Sequence, residues 1–119
     1  MQRCVGLFLK KEMKVYISGK ITGLPIEEAK QNFKDAAEYL KSEGYEPVNP
    51  MELNGHEAIL KNENLTDWFK WCAHMKIDIC ALMDCDMLYL LPNWRESQGA
   101  RIEHDIALKI GISVFYHKV

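Results

Sequence analysis

The stretch MKVYISGKITG, residues 13–23, decides the fold. Its first half, Lys14 to Ser18, is an apolar run closed by a glycine, which predicts a β-strand. Pro25 then suits the first turn of a helix, where its missing N–H would have no partner anyway. Apolar side chains recur at helical spacing over residues 26–42, and Gly44 is a stop signal. These apolar positions are Ile26, Ala29, Phe33, Ala36, Ala37 and Leu40.

The rest of the chain continues the alternation of strand and helix. In chain order it predicts a strand at 45–48, a loop with a single helical turn at 51–64, a long helix capped by Thr66, a strand at 87–91, a helix at 98–110 and a buried strand at 112–116. The order βαβαβαβ predicts a three-layer α/β fold, with a parallel sheet of four or five strands and helices on both faces. Residues 1–12 lie outside this pattern, as an N-terminal extension, an alternative start or an edge strand, so the domain spans residues 13–119.

The composition excludes several classes of protein. A chain of 119 residues forms one domain with one core. Seventeen acidic and fifteen basic residues give a net charge of -2, so no broad basic surface is available for a nucleic-acid polymer or a membrane. No apolar run approaches the roughly 20 residues that span a bilayer.

The four cysteines, Cys4, Cys72, Cys80 and Cys85, lack the paired spacing of a zinc site. Without a signal peptide, they predict reduced thiols in a cytoplasmic protein. The four histidines at 56, 74, 104 and 117 are scattered without metal-ligand spacing. We therefore expect neither a metal nor an organic cofactor.

Two loops follow predicted strands and lead into helices, namely residues 18–23 and 92–99. In a parallel sheet, ligands bind beyond the carboxyl ends of the strands, and a helix N-terminus there favours an anion. The first loop has neither the Walker spacing nor the G-x-G-x-x-G pattern. It is either a phosphate-binding loop or a glycine turn with an exposed lysine.

Three residues are candidates for chemistry. Glu103 shares a helix face with Gly99, Ile106, Ala107 and Ile110, where a carboxylate is costly unless it is paired or faces a cleft. Tyr16 lies inside the first strand, and its hydroxyl could reach Glu103. Asp78 lies at the edge of an apolar helix face, as either a solvated residue or a ligand contact.

Other conspicuous residues have a structural interpretation. Asp84 and Asp86, at the turn into the third strand, are expected to be structural. The aromatic residues Trp68, Phe69 and Trp71 predict a contribution to the core and a subunit interface, with a base-stacking wall as the alternative.

Three segments together resemble the nucleoside 2-deoxyribosyltransferase superfamily, including its 2'-deoxynucleoside 5'-phosphate N-hydrolase branch. They are VYISGKITG at 15–23, DICALMDCDMLYLL at 78–91 and SQGARIEHDIA at 97–107. The resemblance covers residues 14–116, and phage and bacterial deoxyribosyltransferase-like proteins are the most similar members. It implies a flavodoxin-like or Rossmann-like sheet.

The resemblance also implies roles for individual residues. Glu103 matches the nucleophile that attacks C1' of the sugar, Tyr16 the tyrosine that orients it, and Asp78 the acid that assists departure of the base. The loop positions that match the binding site for the 5' end of the substrate are Gly19, Lys20, Thr22, Gly23, Ser97 and Gly99. Lys20 and Thr22 depart from the serine and arginine typical of the hydrolases.

The resemblance therefore implies cleavage of the N-glycosidic bond of a 2'-deoxynucleoside or its 5'-monophosphate, by hydrolysis or by deoxyribosyl transfer. It further implies a homodimer or higher homo-oligomer whose neighbouring subunit completes the site. The alternative is a non-catalytic nucleotide-binding module on the same fold. Cleavage of the glycosidic bond of NAD is a third possibility, by analogy of fold only.

Overall fold

Four strands and four helices make up the part of the chain that the computed structural model describes, residues 12–117. They are β1 (Lys14–Ser18), α1 (Ile26–Ser42), β2 (Glu46–Val48), α2 (His56–Lys61), α3 (Asp67–Met83), β3 (Met87–Leu90), α4 (Gln98–Ile110) and β4 (Ser113–Tyr116). Short 3-10 helices lie at Pro50–Glu52 and Trp94–Glu96. The predicted strands and long helices are thus confirmed to within a residue or two at their ends.

The four strands are all parallel and have the order β2-β1-β3-β4. From β1 the chain crosses to β2 on one side, and the later strands lie on the other side. Strand order therefore reverses between β1 and β3, where Ser18 pairs with Leu90 at the carboxyl ends. This is the place where an open α/β sheet is expected to bind its ligand.

Both faces of the sheet are covered, because successive residues of β1 point to opposite sides. Val15 and Ile17 pack with Phe33 of α1 on one face. Tyr16 packs with Leu82 of α3 and Ala107 of α4 on the other. Burial on both faces explains the unbroken apolar runs of β1 and β3 and confirms the three-layer α/β fold.

Side-chain caps fix the two helix starts that matter for the site. The Thr66 Oγ1 accepts the N–H of Phe69 at 3.3 Å, and the Ser97 Oγ accepts the N–H of Ala100 at 3.1 Å. Each such cap stabilises its helix by about 1 kcal/mol. α4 ends at Gly111, whose φ of 84° is in the left-handed region that glycine tolerates best.

The burial expected from the sequence is wrong for β4 and for the last turn of α4. β4 is not a buried strand: Phe115 is 37% and Tyr116 49% exposed, because β4 is an edge strand paired only with β3. Ile110 was expected in the core but lies in the exposed last turn of α4, whose buried residues are Ala100, Glu103 and Ala107.

The aromatic residues at the start of α3 also lie outside the core. Trp68 is 60% and Phe69 59% exposed. A helix of 17 residues is about 25 Å long, whereas a strand of four residues spans about 13 Å. The first turn of α3 therefore extends beyond the sheet, and the buried residues of the helix are Met75 and Leu82.

Segment 51–64 contains more helix than its sequence predicts, since it holds the last two residues of a 3-10 helix and all of α2. The predicted extension or edge strand and Cys4 fall among residues that the structure does not describe. Cys72, Cys80 and Cys85 are free thiols. Within residues 12–117, no helix has the length and apolar character needed to span a bilayer.

Candidate functional site

Glu103 is the buried acid at the carboxyl end of β1. It lies in the second turn of α4 and is only 5% exposed. The Tyr16 hydroxyl donates to its Oε2 at 2.7 Å, and the Ser18 hydroxyl donates to its Oε1 at 2.6 Å. The contact expected between Tyr16 and Glu103 is therefore present, and a second donor joins it.

The protein environment raises the pKa of the Glu103 carboxyl group above its value in water. Burial raises the pKa of the carboxyl from 4.5 to about 7. The hydrogen bonds from Ser18 and Tyr16 lower this pKa in part, and the nearby charge of Asp78 raises it. Both hydrogen-bond donors are neutral hydroxyls, so the carboxylate has a polar environment in which no side chain of residues 12–117 forms an ion pair with it.

A cavity of about 520 Å³ opens beside this carboxyl group, which is within the range of small-molecule sites. Its polar wall includes Glu103, Tyr16, Ser18 and Asp78. Its apolar wall includes Ile21, Ile26, Phe33, Met51, Leu60, Trp71 and Met75. The cavity therefore lies at the predicted reversal of strand order and brings the three predicted chemical residues together.

Asp78 approaches the cavity from the middle of α3. Burial raises the pKa of its carboxyl to about 7. Its Oδ1 lies 3.0 Å from Nε2 of His56, which comes from α2. The Nδ1 of His56 lies in turn 2.6 Å from the Nδ1 of His74, one turn before Asp78 in the same helix.

Four of the six predicted loop residues line the cavity, namely Gly19, Thr22, Ser97 and Gly99. Gly19 has no room for a side chain, because a Cβ there would lie 2.6 Å from the Leu91 Cδ1. Gly23, with a φ of 91°, and Lys20 are not part of the cavity lining.

Lys20 is engaged away from the cavity. Its Nζ lies 3.2 Å from the Glu96 carboxylate, and its backbone N–H donates to Asn93 Oδ1 at 3.0 Å. Among the described residues, the cation that lines the cavity is Lys30 of α1, a residue that the sequence patterns did not single out. It is an exposed residue, 3.8 Å from Glu27.

Sequence reasoning missed three further polar residues of this site. Ser18 had a signal, because it follows Tyr16 by two residues in a strand and must point to the same face. His56 and His74 had none, because they are 18 residues apart and meet only when α2 packs against α3. Across residues 12–117, no three His, Cys, Asp or Glu side chains are grouped so as to hold a metal ion.

Comparisons with known proteins agree with this architecture. No curated protein matches the sequence. One solved structure of similar fold comes from the characterisation of a 2-deoxyribosyltransferase from the psychrotolerant bacterium Bacillus psychrosaccharolyticus. The likeness covers 87% of this chain and 70% of that chain, with a TM-score of 0.61 and 17% sequence identity, and at this identity it concerns the fold.

Residues 13–116 match a family described as "Domain of unknown function (DUF4406)". The match includes β1, all four helices and β4, and therefore every residue that lines the cavity. The chain belongs to the DUF4406 family.

Proposed function

We propose that the protein cleaves the N-glycosidic bond of a 2'-deoxynucleoside or its 5'-monophosphate, with Glu103 as the nucleophile. One observation carries this proposal: the buried Glu103 carboxyl faces an open cavity and is held there by two hydroxyls. A charge that folding buries without a cation is expensive, so its position is best explained by a reaction that uses it. The fold shared with a 2-deoxyribosyltransferase supports the choice of substrate class.

The chemistry follows from the positions of the two acids. A Glu103 oxygen attacks C1' of the sugar, and the bond from C1' to the base nitrogen breaks, with its electron pair moving to the base. Asp78 gives its proton to the departing base, which would otherwise be a poor leaving group. The sugar is then bound covalently to Glu103, and Tyr16 and Ser18 orient the carboxyl group throughout.

A second attack on C1' releases the sugar and restores the Glu103 carboxylate. Water as the acceptor, losing its proton to Asp78, completes hydrolysis. A second base as the acceptor completes deoxyribosyl transfer. Each attack inverts C1', so the net result is retention of configuration.

The proposal also covers the ligand that the cavity binds and the assembly of the protein. The cavity takes a nucleoside or nucleotide without metal or cofactor. We propose a cytoplasmic protein that assembles as a homo-oligomer. The exposed Trp68 stacks on Trp71, with ring centroids 5.4 Å apart, and forms part of the proposed interface.

The pH dependence follows from the two raised pKa values. Glu103 must be ionised to attack, so activity falls as pH drops below its pKa of about 7. Asp78 must be protonated to act as an acid, so activity falls as pH rises above its pKa of about 7. A bell-shaped profile of kcat/KM with its maximum near neutral pH is expected, and its limbs belong to the coupled pair.

The deciding experiment is chromatography of free bases released from a panel of 2'-deoxynucleosides and their 5'-monophosphates, with and without an acceptor base. Base released without acceptor identifies a hydrolase, and product formed only with acceptor identifies a transferase. Glu103→Gln should lower turnover at least ~10³-fold because the amide is not a nucleophile. Rapid acid quenching of the wild type should reveal a protein mass increased by one deoxyribosyl group.

Asp105→Asn is the matched control for Glu103→Gln. Asp105 lies in the same helix, two residues later, but is exposed and paired with Lys109 at 3.1 Å. Its replacement should leave turnover unchanged. A Glu103→Gln protein with turnover close to that of the wild type would contradict the nucleophile. Ligand binding without base release from any substrate would favour the non-catalytic nucleotide-binding module.

A further inference from the structure

A chain of three hydrogen-bonded side chains runs along the wall of the cavity. It begins at His74, passes through His56 and ends at Oδ1 of Asp78. The side chains of His56 and Asp78 are 18% and 16% exposed, and His74 is half-buried. Two histidines from different helices therefore form a hydrogen-bonded chain that ends at a single oxygen of the Asp78 carboxyl group.

The surroundings of both histidines favour the neutral imidazole. Burial lowers the pKa of His56, against an opposing contribution from the Pro50 backbone, and burial together with the charges of His56 and Lys70 lowers the pKa of His74. A neutral imidazole has one N–H donor and one acceptor nitrogen. Only two consistent arrangements of protons remain along the chain.

In the first arrangement, His74 donates from Nδ1 to Nδ1 of His56, and His56 donates from Nε2 to Asp78. In the second, Asp78 donates its own proton from Oδ1 to Nε2 of His56, and His56 donates from Nδ1 to Nδ1 of His74. The second arrangement commits the Asp78 proton to the hydrogen bond with His56. Only the first leaves that proton on Oδ2, where a leaving base can take it.

We propose that His56 and His74 are positioning residues for Asp78: His74 holds His56 in the Nε2–H tautomer, and this N–H anchors Oδ1 so that Oδ2 faces the leaving base. The inference rests on the proposed function, since Asp78 must act as the acid. When Oδ2 gives its proton to the base, the new negative charge is stabilised by the hydrogen bond that His56 already donates. No proton has to move between the histidines during this step.

Other ionisable groups also lie near Asp78. On the side of β1 and α4 it faces Tyr16 and Glu103, and neither is a cation. Lys70 influences the pKa of His74 from one turn earlier in α3. His56 Nε2 is thus the hydrogen-bond partner that the structure, over residues 12–117, gives to the Asp78 carboxyl group, and the proposed tautomer makes it the donor.

The first test compares two replacements of His56 in the full chain. His56→Leu removes the donor, and His56→Gln restores an amide N–H near the position of Nε2. We expect kcat to fall about tenfold or more in His56→Leu with little change in KM, and to recover in large part in His56→Gln. His117→Leu, which alters an exposed histidine outside the cavity lining, should retain wild-type kcat.

The direction of the pH shift separates positioning from packing. Loss of a donor to the carboxylate favours its neutral form, so the alkaline limb of kcat should move to higher pH in His56→Leu, by about one unit. A packing role would instead admit water, relieve burial and move that limb to lower pH. An unchanged limb or a downward shift overturns the proposal.

The second test needs no turnover. Imidazole ¹⁵N shifts at about pH 6.5, where Asp78 still holds its proton, should show His56 as the Nε2–H tautomer and His74 as the Nδ1–H tautomer. His56→Leu should release His74 from the Nδ1–H form. The reverse pair of tautomers in the wild type overturns the proposal. A wild type that releases no base overturns the proposed function itself, whereas an active wild type with an unaffected His56→Leu variant overturns only this inference.

Discussion

Acidic side chains lie at both ends of β1, and their surroundings differ. At the amino end, Lys14 donates its backbone N–H to Asp86 at 2.9 Å and places its Nζ 3.0 Å from Asp84. At the carboxyl end, Glu103 is buried and, within the described part of the chain, its side chain receives hydrogen bonds only from the hydroxyls of Ser18 and Tyr16.

This difference separates structural acids from a candidate reactive one. The two aspartates are partly or fully exposed and bonded to a cation or a backbone N–H, so they hold the start of β3 against β1, in line with the structural role expected of them. Glu103 is buried and has no ion-pair partner among residues 12–117, and burial raises its pKa to about 7. The buried Glu103 carboxyl therefore lowers the stability of the fold, whereas the contacts of Asp84 and Asp86 raise it. Such a loss of stability is common at reactive sites.

After Glu103→Gln itself, the largest expected effect comes from removing the hydroxyls at the carboxyl end of β1. The double variant Tyr16→Phe and Ser18→Ala should lower kcat/KM by on the order of 10²-fold, because two hydrogen bonds to a charged group are lost. Both bonds lower the pKa of Glu103, so the acid limb of the pH profile should move to higher pH. The measurement is the rate of base release across pH.

A parallel variant at the amino end provides the control. Asp84→Ala removes an exposed ion pair and should leave both the rate and the pH profile in place. A double variant at the carboxyl end with a wild-type acid limb would show that the hydroxyls do not act on the Glu103 carboxyl group.

The two ends should respond to charge removal with opposite changes in stability. The folded protein holds a proton on Glu103 up to about pH 7, whereas the unfolded chain loses it near the ordinary glutamate pKa of 4.5. Between these values the folded state binds more protons, so the free energy of unfolding falls as pH rises. Glu103→Gln should therefore be more stable than the wild type at pH 8, by on the order of 2 kcal/mol, and about equal to it at pH 4.

Asp86→Ala should do the reverse. It leaves the Lys14 N–H without its acceptor and should lower stability by about 1 kcal/mol at pH 8. Urea unfolding of both variants at the two pH values measures these differences. A Glu103→Gln protein that is less stable than the wild type at pH 8 would contradict the cost assigned to the buried carboxylate.

The smallest expected effect concerns Lys20, the cation of the first loop, which lies outside the cavity lining. Glu96→Gln releases the Nζ of Lys20, whose side chain is 22% exposed, from an ion pair that contributes at most about 1 kcal/mol. If Lys20 can then reach a 5'-phosphate, kcat/KM for monophosphates should rise about two- to fivefold while that for nucleosides stays constant. Equal changes for both substrates would remove Lys20 from the binding site.

Much of the fold could be predicted because local patterns and packing agree. The apolar runs at β1 and β3 and the helical spacing in α1 each predict an element that the sheet then buries. Prediction failed where tertiary position decides exposure. Trp68 lies in a turn that extends beyond the sheet, and Tyr116 lies on an edge strand, although both look like core residues in the sequence.

The sequence by itself determined the order of elements, the parallel sheet and the face of α4 on which Glu103 lies, because periodicity is a local property of the chain. Only the tertiary structure decided which groups surround that carboxyl. The Ser18 hydroxyl is 85 positions from Glu103 along the chain, and His56 is 22 positions from Asp78. Strand order and the packing of α2 on α3 bring these groups together, and the burial that results sets the pKa values on which the proposed chemistry depends.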